Sequence, residues 1–281
     1  AQQICDPDRV VTFVPGHQDR RRWEFRLHDG ESDETMLADE TIVGLLDRWG
    51  TTDQLQIDRQ AVYRFHATVA DRFRDGPVFL AGDAAHQMPP FNGQGMCTGL
   101  RDAENLAWKL ALVSAGRAGE ALLDTYDAER RPHAAGQVAH SADVGRLIDA
   151  LAVGEDVATE AGYGGERPFP HIEAGLVDGD HDAVGRQVPQ PEIDGVPLDD
   201  LMGGGFALVR ARSSGSPPPS LWAGLGAREV IVDVEALPGL LTDDATVIVR
   251  PDRYVAAVTD DLEAATRRLE PLFATHERTG S

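Results

Sequence analysis

The sequence predicts an α/β protein in two parts, a larger first region with long helices and a smaller α/β domain at the end. Three observations predict it. Strand-like and helix-like segments alternate along the first 150 residues, a Gly- and Pro-rich stretch interrupts the pattern at 154–197, and four short strand signals with a closing amphipathic helix follow. The expected division is 1–153, a connection at 154–197 with Gly164-Gly165, Arg167-Pro168 and Pro189-Gln190-Pro191, and a domain at 198–281.

In chain order, residues 9–14 and 20–27 are rich in β-branched and aromatic types and predict strands, the second placing Trp23 and Phe25 on one face. Ile42, Val43, Leu45, Leu46 and Trp49 fall at helical spacing over 38–49, and Gly50 supplies a stop. Residues 55–66 read as extended. Val78-Phe79-Leu80-Ala81 is wholly apolar and suits a strand buried on both faces. A Pro/Gly loop from Gln87 to Gly95 precedes a helix starting near Gly95-Met96, with Leu100, Ala103, Leu106, Ala107, Leu110 and Ala111 on one face. Gly116 interrupts it, and Arg131-Pro132 predicts a bend and a restart. Strands are expected at 206–210, 229–234, 245–249 and 254–258, and a helix at 260–273.

The chain opens at Ala1 without methionine and soon enters strand-like text, as a fragment would. Net charge is -21, from 26 basic and 47 acidic residues, so phosphate backbones and anionic lipid are repelled, and neither nucleic acid nor membrane is an expected partner. The two cysteines, Cys5 and Cys97, form no disulfide framework or metal-ligand spacing, which makes a reducing cytoplasm the expected compartment and no metal the expected content.

The chemistry concentrates in VFLAGDAAHQMPPFNGQGMCTGLRDAENLAWKLAL, residues 78–112. Gly82 permits close approach, and Asp83 just beyond it can accept hydrogen bonds from sugar or polyol hydroxyls. Gly93 and Gly95 leave backbone N–H groups open to a flat ring, and the following helix start favours negative charge. Each element alone is weak; their order carries the signal. GDAAH, then PP-x-x-GQGM-x-x-G, then RDAENLAWKLA resembles the second flavin-binding motif of the class A FAD-dependent aromatic monooxygenases. CDPDRVVTFVPG, RRRWEF, VYRFHATVA and DTYDAERRPHA resemble the 3-(3-hydroxyphenyl)propionate hydroxylase group, and VIVRPDRYVAAV resembles the thioredoxin-like C-terminal domain of phenol hydroxylase relatives.

The resemblance implies a partial FAD/substrate domain of the aromatic hydroxylase fold followed by a small thioredoxin-like α/β domain. It implies cofactor binding by Gly82, Asp83, Pro90, Gly93, Gln94, Gly95, Met96 and Cys97, with Asp83 on the ribityl chain and Pro90 beside the reacting region. Asn92 and Cys97 depart from the commonest wording of that motif, at positions expected to act through backbone atoms. FAD is then the bound cofactor, NADH or NADPH the transient reductant, O2 the oxidant and a phenolic acid the substrate. Trp23 and Phe25 are candidates to line an aromatic pocket or simply to pack the sheet. Larger polyketide or antibiotic phenols are an alternative substrate class, and a fragment that binds no flavin is a third reading. No GxGxxG is present: GGGFAL, GLGARE and GYGGER each lack the third glycine. His86 is read as packing its own loop, Cys97 as a small packed residue, and Arg20, Arg21 and Arg22 as a solvated edge. The final domain lacks CxxC, and packing and subunit association are its expected roles.

Overall fold

Three short strands open the chain, β1 (Gln2–Ile4), β2 (Val11–Pro15) and β3 (Arg21–Phe25). In the computed structural model, which describes residues 1–50, 54–155, 171–211 and 217–275, they form an antiparallel sheet in that order. Gly164-Gly165 and Arg167-Pro168 lie outside the described residues. The described residues fall into two compact units, one of 1–66, 89–92 and 141–155, the other of 67–88, 93–140 and 171–275.

In the first unit the strand register sets Trp23 opposite Phe13 and Phe25 opposite Val11, while Arg20, Arg21 and Arg22 stay exposed as expected. Helices α1 (Asp33–Met36) and α2 (Asp39–Leu46) follow, and α2 runs through a 3-10 turn to its stop at Gly50. The extended reading of 55–66 does not become a strand: Leu55, Ile57, Tyr63 and Phe65 remain largely exposed and no ladder partner adjoins them. Strand propensity without a neighbouring strand leaves the backbone polar groups unpaired, so it decides nothing alone.

The second unit begins with four two-residue strands. β4 (Thr68–Val69) pairs with β7 (His86–Gln87), and β5 (Arg74–Asp75) with β6 (Val78–Phe79), both antiparallel. Val78–Ala81 is therefore not a strand buried on both faces. Val78 is 58% exposed and β6 has one partner strand, because an apolar run records a wish for burial and not the neighbours that grant it.

Helix α3 (Gly95–Ser114) starts where expected and stops two residues before Gly116, but its buried face is the opposite of the expected one. Leu100, Ala103, Ala107, Leu110 and Ala111 are exposed, whereas Thr98, Asp102, Asn105 and Lys109 are buried. Helix α4 (Glu120–Ala152) runs unbroken through Pro132, which corrects the expected restart. The one backbone bond that proline removes is outweighed by burial of Leu122, Leu123, Tyr126, Ala134 and Val138 around it. Its residues to His140 belong to the second unit and those from Ser141 to the first.

Residues 171–188 run beside the final sheet, with Ile172, Leu176 and Val188 buried and bridges at Asp178–Ala257 and Gln187–Tyr254. A small hairpin, β8 (Glu192–Ile193) and β9 (Val196–Pro197), leads to α5 (Leu198–Met202). Then come β10 (Ala207–Ala211), α6 (Ser220–Gly224), β11 (Arg228–Val232), β12 (Thr246–Val249), β13 (Val255–Thr259) and α7 (Leu262–Leu269). The sheet order is β11-β10-β12-β13, with β10 parallel to β11 and antiparallel to β12. Ala207, Val209, Val247 and Val249 point into one core, while Leu208 and Ile248 point into another with Leu122, Trp222, Leu269 and Phe273. Here β10 and β12 are the strands buried on both faces, the reading that the sequence suggested for Val78–Ala81.

Candidate flavin-facing site

The turn after β6 is built on α3. Gly82–Ala84 forms a 3-10 turn, closed by the Ala85 amide donating to the Gly82 carbonyl at 2.8 Å. Gly82 has φ of 58°, and a Cβ added at Gly99 would stand 3.1 Å from the Gly82 Cα, so turn and helix meet backbone to backbone. Asp83 and Ala84 are exposed at the apex, between Gly82 and the buried Ala85 and His86.

One buried carboxylate holds both ends of that turn. Asp102 Oδ2 accepts from the Gly82 amide at 3.1 Å and from His86 Nε2 at 2.7 Å, and Oδ1 accepts from Arg130 Nε at 2.9 Å. Burial pushes the Asp102 carboxyl up, but the His86 bond and the Arg130 charge together hold it below its ordinary value. His86 thus packs its loop, as expected, but onto a side chain of α3 and not onto its own backbone. Nearby His133 is pushed down to about 3 by burial and by the charges of Arg130 and Arg101.

The start of α3 is open to an acceptor. Gln94, the N-cap, makes no side-chain bond to the first amides, and no acid occupies the first turn. Gly93 is exposed with φ of 63° and nothing within 4 Å of an added Cβ. Met96 is 77% exposed, and Gly95 and Cys97 are half-buried. Gly82, Asp83 and Gly93 to Cys97 thus share the second unit. Pro90 belongs to the first, exposed in the turn Pro90–Asn92, where Ser141 Oγ donates to the Pro89 carbonyl at 2.5 Å and Phe91 lies edge-on to Phe65. Trp23 lies tilted against Phe13 at 5.3 Å and Phe25 meets Trp49 edge-on at 5.6 Å, so both pack within the first unit.

Sequence reasoning passed over a second buried group. Glu129 Oε2 accepts from Asn105, Lys109 and Arg250 at 2.8, 2.7 and 2.7 Å, and its Oε1 accepts from the Leu176 amide at 2.9 Å. Asp252 takes two further bonds from Arg250, at 2.9 and 2.6 Å. Its signal in the sequence is a polar stripe: Thr98, Asp102, Asn105 and Lys109 recur at helical spacing.

Comparison with known proteins gives the family. A family model described as an FAD binding domain matches residues 3–141. A 3-(3-hydroxy-phenyl)propionate/3-hydroxycinnamic acid hydroxylase of Mycobacterium avium (strain 104) is 38% identical over 255 residues, covering 80% of this chain and 44% of that protein. One from Burkholderia cenocepacia (strain HI2424) is 34% identical, covering 91% and 57%. The chain belongs with the FAD-dependent aromatic hydroxylases. Among solved structures, aklavinone-11 hydroxylase with FAD and aklavinone aligns with a TM-score of 0.74 at 26% identity, covering 96% of this chain and 57% of that one. Anhydrotetracycline hydroxylase from Streptomyces rimosus aligns with a TM-score of 0.63 at 29% identity, covering 94% and 59%. The chain spans about half the length of the curated relatives it matches. No described helix is long and apolar enough to cross a membrane.

Proposed function

We propose that this chain contributes the flavin-facing half of an FAD-dependent hydroxylase of phenolic acids such as 3-(3-hydroxyphenyl)propionate. The observation that carries the reading is an exposed Asp83 carboxylate on a turn anchored to α3, whose own first amides carry no side-chain cap. Those residues fit FAD. Asp83 accepts from ribityl hydroxyls, Gly82 lets the turn come close, and the amides of Gly93, Gln94, Gly95, Met96 and Cys97 donate to the ring's carbonyl region. The positive end of α3 favours the negative charge that gathers there. By the resemblance Pro90 would stand beside the reacting ring, while Trp23 and Phe25 pack within their own unit. Bound FAD supplies the chemistry, reduction by NADH or NADPH and transfer of one oxygen atom from O2 to the ring.

The order β11-β10-β12-β13, one parallel pair extended by an antiparallel hairpin and closed by α7, supports a thioredoxin-like C-terminal domain. Its edge strand β11 exposes Ile231, which supports a role in subunit association. A second substrate class, larger polyketide phenols, is supported by the alignment to aklavinone-11 hydroxylase over 96% of the chain.

The test is retention of flavin. The purified chain is incubated with FAD, desalted and read at the flavin absorbance band, and the flavin-loaded protein is assayed for NADH- and O2-dependent hydroxylation of both substrate classes. Retained flavin is expected of the chain, and turnover of the phenolic acid is expected once a GxGxxG-bearing half is supplied with it. Turnover of polycyclic phenols alone moves the substrate to the second class, and a colourless chain overturns flavin binding by this polypeptide.

A further inference from the structure

We propose that Asp102 is a positioning residue for the flavin contact, holding both ends of the 82–86 turn so that Asp83 is presented from its apex. The inference rests on the reading of Asp83 above. A turn of five residues has its first amide and its last side chain bound to the same oxygen, at 3.1 Å from Gly82 and 2.7 Å from His86. Between these anchors only Asp83 and Ala84 reach solvent, so the direction of the Asp83 carboxylate follows from where the anchors are pinned. The pin itself is immobile: Asp102 is fully buried two turns into α3, and Arg130 on α4 occupies its other oxygen at 2.9 Å. The same helix carries the open amides at Gly95–Cys97, so Asp102 ties the polyol-binding carboxylate and the helix start to one rigid body.

The chemistry requires a carboxylate and not merely a polar group. Donors arrive at both oxygens, from Gly82 and His86 at one and Arg130 at the other. An amide in its place keeps its oxygen on the Arg130 guanidinium, which an NH2 would oppose, and so turns its NH2 toward the Gly82 amide. Asp102→Asn therefore loses the Gly82 side of the clamp while keeping the shape.

The experiment uses the 281-residue chain with Asp102→Asn, Asp83→Ala, their double variant and His86→Leu, the last leaving the Asp102–Arg130 pair intact should Asp102→Asn fail to fold. Amide exchange by NMR is the first readout. The Gly82 and Ala85 amides are expected to exchange at least about tenfold faster in Asp102→Asn, with β10 and β12 unchanged. FAD retention is the second. Asp83→Ala and Asp102→Asn are each expected to weaken it about tenfold, and the double variant no more than either, since both act through one contact. A merely structural residue instead lowers protection everywhere and adds its loss to that of Asp83→Ala; either result overturns the proposal, as does unchanged Gly82 exchange in Asp102→Asn or, if that variant does not fold, unchanged Ala85 exchange in His86→Leu. If the unsubstituted chain retains no FAD, the flavin reading fails by itself, and the exchange data still decide whether the clamp exists.

Discussion

Two buried charge clusters lie along α3, and adjacent residues of α4, Glu129 and Arg130, serve one each. Around Glu129 both acids are matched: Glu129 and Asp252 meet Asn105, Lys109, Arg250 and the Leu176 amide, and every carboxylate oxygen has a donor. Around Asp102 the accounting is uneven. Both Asp102 oxygens are satisfied, yet His86 Nδ1, Thr98 Oγ1, both terminal nitrogens of Arg130 and both ring nitrogens of His133 have no partner among the described residues. The first cluster binds α3 and α4 to the final sheet. The second stands behind the turn that carries Asp83. The contrast teaches that stability and site preorganisation make different demands on buried charge: the lock matches every carboxylate oxygen and leaves over Asn105 Oδ1, whereas behind the site six polar atoms lack a partner among the described residues.

The strongest way to break the contrast is at the lock. Glu129→Gln leaves Lys109 and Arg250 short of their shared acceptor and is expected to cost about 3–5 kcal/mol in urea unfolding. Burial pushes the Glu129 carboxyl up, but Arg250 and Lys109 outweigh it and bring it down to about 2. A carboxylate depressed in the folded state contributes stability that is whole above its ordinary value near 4.5 and lost as pH falls toward 2. The acid limb of a stability profile is therefore expected to flatten in that window in Glu129→Gln; an unaltered limb refutes the lock.

Asp102→Asn should cost less, about 2 kcal/mol, since one side of the clamp survives. A loss as large as that of Glu129→Gln would erase the distinction between the clusters. His133→Leu should act in the opposite direction. Its imidazole is held neutral to about pH 3 in the fold, so the unfolded chain takes up the proton first and stability falls as pH drops from 6.5 toward 3. Replacing it removes two unpartnered buried nitrogens, and a gain of about 1 kcal/mol, with that part of the pH profile flattened, is expected from calorimetry. A loss would mean that the ring has a partner in solution. The smallest effect belongs to exposed Asp83: Asp83→Ala should shift stability by less than about 0.5 kcal/mol while lowering flavin retention, so a large shift would make the residue structural.

The kinship is legible in the order of GDAAH, GQGM and RDAENLAWKLA, as are most elements of the fold. Starts and stops such as Gly50, Gly95 and Gly116 are local events, and the final strands announce themselves because β10 and β12, covered on both faces, are apolar nearly throughout. Packing alone settles which face of α3 is inside, that Val78–Ala81 has one neighbour, that Pro132 is spanned and that Asp102 serves Gly82, His86 and Arg130 together. The reason is physical. An apolar residue shows its preference in its own composition, but a buried charge is stable only through partners far along the chain, as Glu129 is through Arg250, and no local pattern states who those partners are.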